Sequence, residues 1–124
     1  MRLSLFRLIR SFGFAFAGVA HIVASQPNFQ IHLFAAALVI ILALVLEIPP
    51  PEMAVLALTI GLVVATEAAN TAIESAVDAI GGPPSLAAKR AKDSAAGAVL
   101  LAAVAAVVTG LLIFGPRLLS RLGH

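Results

Sequence analysis

The sequence contains no cysteine, no tryptophan and no tyrosine, and only 11% of its residues are charged. Without cysteine there is no disulfide framework, no thiolate metal site and no thiol nucleophile. Eight Lys and Arg against six Asp and Glu leave a net charge of +2. There is also no long basic run and no Tyr/Trp stacking set, so the chain lacks the signature of a nucleic-acid binder. What it has instead is apolar: 61% of the 124 residues are hydrophobic, at a mean hydropathy of +1.09, against about 45–50% in an ordinary soluble domain. This excludes a water-soluble globule and, at this length, leaves one compact unit spanning residues 1–124. Where the few charges fall therefore carries most of the information.

Three apolar stretches emerge once the charges are marked. Ile31 to Ile48 is interrupted only near its ends by His32 and Glu47, and Ala95 to Phe114 has no charge before Gly115-Pro116 closes it. At 1.5 Å per residue these cover about 27 and 30 Å, enough for a hydrocarbon layer of about 30 Å. The middle stretch, Met53 to Ile80, follows the turn Pro49-Pro50-Pro51 and outruns the bilayer at about 42 Å. The sequence thus predicts all-α spans at about 31–48, 53–80 and 93–114. The first thirty residues are too polar at both ends for a span, yet they hold Phe6, Phe12, Phe14 and Phe16. They predict an amphipathic surface helix at about 4–24, with Arg7, Arg10 and Ser11 toward headgroups and the aromatics in the acyl boundary. The competing reading, a signal peptide cut at Ala20 or Ala24, would remove three arginines. Those arginines, Arg2, Arg7 and Arg10, join Lys89, Arg90 and Lys92 in placing the chain start and the Gly81–Lys92 loop in the cytoplasm. The triproline turn is then outside, and Arg117 and Arg121 fall on the less usual side.

Glu67, Asn70, Glu74 and Asp78 are spaced three, four and four apart, so at 100° per residue they form one stripe on one helix face. Acids near a bilayer are costly and line a cavity or meet cations. Lys89 and Lys92 stand three apart just before the last span, so both can face those acids across an antiparallel helix pair. A metal with oxygen ligands, phosphates neutralised by lysine and a spare carboxylate for a proton are the parts that phosphoryl transfer requires. The same residues also admit a plainer reading, with Glu67 alone at membrane depth, paired for assembly, and the lysines as positive-inside anchors.

The run Glu67-Ala-Ala-Asn70-Thr71-Ala-Ile-Glu74-Ser-Ala-Val-Asp78 is followed by Ala91-Lys92-Asp93-Ser-Ala-Ala-Gly97-Ala98-Val99-Leu100. Together they resemble the paired signature of the prokaryotic diacylglycerol kinase family, which includes undecaprenol kinases. The similarity runs from about Arg7 to Phe114 and includes Asn28-Phe29-Gln30-Ile31-His32. The resemblance implies a surface helix plus three spanning helices in the bacterial inner membrane, assembled as a homotrimer with sites between subunits. It implies an enzyme using ATP and Mg2+ to phosphorylate a membrane lipid, undecaprenol or diacylglycerol, with Glu67 as general base and Asn70 holding base and phosphate in register. Glu74 resembles a ligand of the nucleotide-bound magnesium. Arg7, Phe14, Ser85, Lys92 and Asp93 fall among the nucleotide-binding positions, Ser85 where a histidine is frequent. Gln26 stands where the family usually has a second metal-binding glutamate, which predicts a lower affinity for magnesium-nucleotide.

Of the three histidines, His32 reads as interfacial, His21 carries no motif and His124 is terminal; without H-x-x-x-H spacing they do not make a zinc site. Gly81-Gly82-Pro83-Pro84 reads as a helix stop. Ala98, Ala102, Ala106 and Gly110 form a small-xxx-small series that allows close helix approach. The reading as a whole is a membrane lipid kinase. The rival classes are a non-catalytic assembly protein that keeps the fold, and a cation transporter using the Glu67 stripe. The second is disfavoured because no ionisable series continues to the opposite face.

Overall fold

The computed structural model describes residues 4–123, so Arg2 and His124 lie outside the described residues. The architecture is all-helical: α1 is Leu5–Ser25, α2 Pro27–Val45, α3 Pro50–Ile80 and α4 Leu86–Leu122. All four helices are long and apolar enough to cross a membrane. For α1 this corrects the view that its region is too polar to span. Beyond Arg10 the helix carries no Asp, Glu, Lys or Arg, and its 21 residues reach about 31 Å.

Each break has a local cause. Gln26 leaves the helical region (φ −111, ψ 105) because it precedes Pro27, whose ring disfavours helical backbone before it. The Gln26 N–H still closes α1 on the Ile22 carbonyl, and the Gln30 amide Nε2 reaches back to the Val23 carbonyl at 2.8 Å. Pro27 fits the first turn, where no N–H is needed, so α2 starts four residues before the predicted Ile31. At its far end the Ile48 N–H bonds the Ala43 carbonyl and the Glu47 N–H bonds the Leu44 carbonyl, a Schellman closure with Glu47 in the left-handed position (φ 52). The span therefore stops at Val45 rather than at Ile48. Pro50 and Pro51 likewise open α3 ahead of the predicted Met53, and Gly81 and Gly82, both at positive φ, stop it at Ile80 as expected.

The last helix departs most from expectation. It starts at Leu86, capped by Ser85 Oγ accepting from the Ala88 N–H at 3.0 Å, and runs through Gly115-Pro116 to Leu122. Pro116 removes a backbone donor, which should kink or end a helix. Here Arg117 curls back to donate Nη1 to the Ile113 carbonyl at 2.8 Å and pairs with Glu52 at 2.7 Å. This binds the first turn of α3 to the last turns of α4.

The most extensive contact joins α3 to α4. Lys92 on Asp78 at one end and Arg117 on Glu52 at the other show the two helices to be antiparallel. A small core of Ala43, Leu46, Ile48, Leu56, Ile113 and Phe114 fills the triproline end. Elsewhere the exterior is apolar, with Leu58, Leu101 and Leu112 all more than 70% exposed, and α1 buries no residue. Surfaces of this kind meet lipid or other helices.

Both partners of the Glu52–Arg117 pair are about one-third exposed, so it contributes about 1 kcal/mol, with the carbonyl bond adding a similar amount. Arg117→Met is expected to lower the melting temperature in detergent by several degrees, while phosphate transfer at the other end of the helices stays unchanged. Thermal unfolding beside an activity assay checks both outcomes.

Candidate active site

The stripe foreseen on α3 exists, and the fold grades it from buried to exposed. Glu67 is 4% exposed, Asn70 and Glu74 are half-buried and Asp78 is exposed. Thr71, also buried, spends its hydroxyl on the Glu67 carbonyl at 3.1 Å. Asn70 Nδ2 lies 3.5 Å from Glu74 Oε1, and Asn70 Oδ1 is buried with no hydrogen-bond partner. A carboxylate beside a spare amide oxygen is the donor set of a hard cation. Among the described residues no three His, Asp or Glu come together as a metal cage.

Of the two lysines expected to face the acids, only Lys92 does, with Nζ 2.5 Å from Asp78 Oδ1. Lys89 pairs instead with Asp93, one turn along α4. The partner four residues away needs no particular helix packing, so it wins over a partner on another helix. Asp93 is thereby engaged by Lys89 rather than by α3. The hydrogen bond from Lys92 to Asp78 raises the lysine pKa, partial desolvation opposes this, and the charges of Asp78 and Glu74 raise it further. Because the folded pKa lies above the unfolded value, the pair's contribution is complete below the ordinary lysine range. It is lost only as pH rises through the raised value.

Other sequence-predicted residues stand apart from this cluster. Arg7 and Phe14 are exposed on α1, where Phe14 lies under the Arg10 guanidinium at 5.4 Å. Gln26 is half-buried at the α1–α2 joint, its amide beside Ser25 Oγ. Ser85 caps α4. Among the described residues no hydrogen bond or ion pair joins these four to Glu67, Asn70 or Glu74.

One neighbour of Glu67 was not foreseen as part of the site. His32 Nε2 lies 3.6 Å from Glu67 Oε2, across the α2–α3 contact. It reads as interfacial because nothing in the sequence sets the register of α2 on α3. Its membership of the Asn28–His32 run was the available signal. Beside it opens an apolar cleft of about 410 Å³, walled by Ala36 and Val39 of α2, Ile60 and Val63 of α3, and Ala106 and Gly110 of α4. Of the small series on α4, Ala102 is buried while Ala106 and Gly110 line this cleft.

Against known proteins, the model of the family described as prokaryotic diacylglycerol kinase matches residues 13–114, from within α1 almost to Pro116. The chain belongs to that family. It is 50% identical to a diacylglycerol kinase of Synechocystis sp. over 91% of this chain, although the chain spans only 65% of that relative's length. It is 41% identical to the undecaprenol kinase of Bacillus subtilis, over 90% of this chain and 91% of the relative. The diacylglycerol kinase of Escherichia coli is 31% identical over 83% of this chain and 84% of its own length. The matched region of the family model takes in α2, α3 and the site-bearing start of α4 whole, while Arg7 lies before it.

Proposed function

We propose that the chain is a membrane lipid kinase, which moves the terminal phosphate of magnesium-ATP to the hydroxyl of a lipid alcohol at the cytoplasmic face of the bacterial inner membrane. The observation that carries this reading is the graded stripe on α3. A buried carboxylate, Glu67, lies one turn from the half-buried Asn70 with its spare amide oxygen and two turns from Glu74, and one turn further Asp78 holds Lys92. Glu67 and Glu74 are about 10 Å apart along the axis, so one helix face reaches from the acyl region to the phosphates.

In this reading Glu67 takes the proton of the acceptor hydroxyl. The acyl or prenyl chain lies in the apolar cleft that ends at His32, beside Glu67. Glu74 would hold the nucleotide's magnesium with Gln26 as a second, neutral ligand, and Asn70, its spare oxygen beside Glu74, would keep base and phosphate in register. Magnesium, when bound, neutralises charge on the phosphate oxygens. Arg7, Phe14 and Ser85 join Lys92 and Asp93 around the nucleotide. For Lys92 and Asp93 this means exchanging Asp78 and Lys89 for substrate. Most of the acceleration comes from positioning and charge, because phosphoryl transfer asks for little covalent help. The exposed apolar face of α4 and the unburied α1 support assembly as a homotrimer, with neighbouring copies completing each site.

The test is transfer from γ-labelled ATP to undecaprenol and to diacylglycerol by the purified full chain in lipid nanodiscs. Magnesium-dependent label in at least one lipid is the expected result. No transfer to either defeats the reading.

A further inference from the structure

Glu67 has an exit problem that the rest of the stripe does not share. Its side chain is 5% exposed, and no other basic side chain among the described residues lies within ion-pair distance. Lys92, the cation nearest in motif, is held by Asp78 more than two turns away. A proton received by such a carboxylate has almost no surface from which to reach bulk water, and until it leaves, the carboxylate cannot accept another.

The imidazole of His32 stands between Glu67 and the outside. Its Nε2 is 3.6 Å from Glu67 Oε2, while its side chain is 26% exposed. It lies only five residues into α2, roughly 7.5 Å from that helix's first residue. Both side chains are fixed on helices, so the approach belongs to the packing of α2 on α3 rather than to a loop. The separation exceeds a hydrogen bond, and a shift of about 0.5 Å closes it.

We propose that His32 is the positioning partner of Glu67, orienting the buried carboxylate and relieving it of the proton that the acceptor hydroxyl gives up. This rests on the reading of Glu67 as the base. The acceptor O–H bond breaks as its oxygen bonds the γ-phosphorus, and the bond from that phosphorus to the β-bridging oxygen breaks to leave ADP. The proton goes to a Glu67 carboxylate oxygen and then to Nε2 of His32, whose neutral ring carries its own proton on Nδ1. From the exposed edge of the ring the Nδ1 proton passes to water, which frees Glu67 and leaves His32 as the Nε2–H tautomer; exchange of ring protons with water then restores the Nδ1–H form.

The experiment uses the full chain in nanodiscs with saturating magnesium-ATP and whichever lipid the wild type phosphorylates. Glutamine keeps the reach of histidine but cannot carry a proton on. His32→Gln is expected to lower kcat at least about tenfold while leaving both KM values within about twofold. His32→Ala is expected to regain at least about threefold in kcat with added imidazole, a base of the right shape, and nothing with pyrazole, which has the same size but is weakly basic. The proposal is overturned if His32→Gln keeps kcat within twofold, if its loss lies in KM alone, or if imidazole and pyrazole act alike on His32→Ala. Glu67→Gln in the same assay separates the two levels. An inactive Glu67→Gln beside a fully active His32→Gln rejects only the role of His32, whereas an active Glu67→Gln rejects Glu67 as the base.

Discussion

Glu67→Gln should abolish phosphate transfer while leaving the protein at least as stable as the wild type. The substitution keeps the shape of a side chain that is 5% exposed, and it replaces a basic carboxylate with an amide too weakly basic to take a proton from the acceptor hydroxyl. General-base catalysis is worth roughly 10²- to 10⁴-fold, or about 3–5 kcal/mol of barrier, so residual turnover should fall below one part in a hundred. Stability moves the other way, because a buried carboxylate with one partner at 3.6 Å is expensive to keep out of water and a neutral amide is less so. The melting temperature in detergent should hold or rise, and nucleotide binding should persist because the carboxylate lies two turns from Glu74. A variant that melts early, or one that keeps more than a tenth of the activity, contradicts the assignment. The same substitution in a protein that served only as a membrane scaffold would change nothing in the activity assay.

How far the sequence discloses this site depends on whether the partners share a helix. Glu67, Asn70, Glu74 and Asp78 were legible as a stripe because three- and four-residue spacing is fixed by helical geometry alone. The stop at Ile80 was legible for the same local reason, since two glycines in succession supply the backbone that ends a helix. Contacts between helices were not. The pairing of His32 with Glu67 depends on the register of α2 on α3, and hydrophobic periodicity leaves that register free. The pairing of Arg117 with Glu52, which ties the turns of α4 beyond Pro116 to the first turn of α3, is likewise a contact between helices, made by residues far apart in sequence. Lys89 shows the limit from the other side, because a local partner in Asp93 removed it from the acids it was expected to meet. Placing α1 is a matter of composition rather than contact. The same 21 residues are apolar enough to cross a membrane and carry an Arg10–Phe14 stack suited to an interface.

Glu74→Gln and Gln26→Glu should move the magnesium requirement in opposite directions, and by the larger amount for Glu74. The described part of the site offers a single carboxylate to the metal, Glu74, beside the unpartnered Oδ1 of Asn70. Exchanging it for an amide leaves a hard dication with neutral protein ligands only. The magnesium concentration for half-maximal turnover should therefore rise about tenfold to a hundredfold, the range expected when a metal site loses one of its supports. Excess magnesium should recover much of the rate, which separates a lost ligand from a lost base. Gln26 now has only a weak contact with Ser25 Oγ at 3.5 Å, so a glutamate there gives up little. With Gln26 a ligand of the same magnesium as proposed, the added charge should lower the half-maximal magnesium several-fold. The double variant then decides whether the two positions share one ion. Restoration of the Glu74→Gln defect by Gln26→Glu beyond the sum of the two separate shifts requires both side chains at the same metal, whereas strictly additive shifts would place Gln26 outside the site.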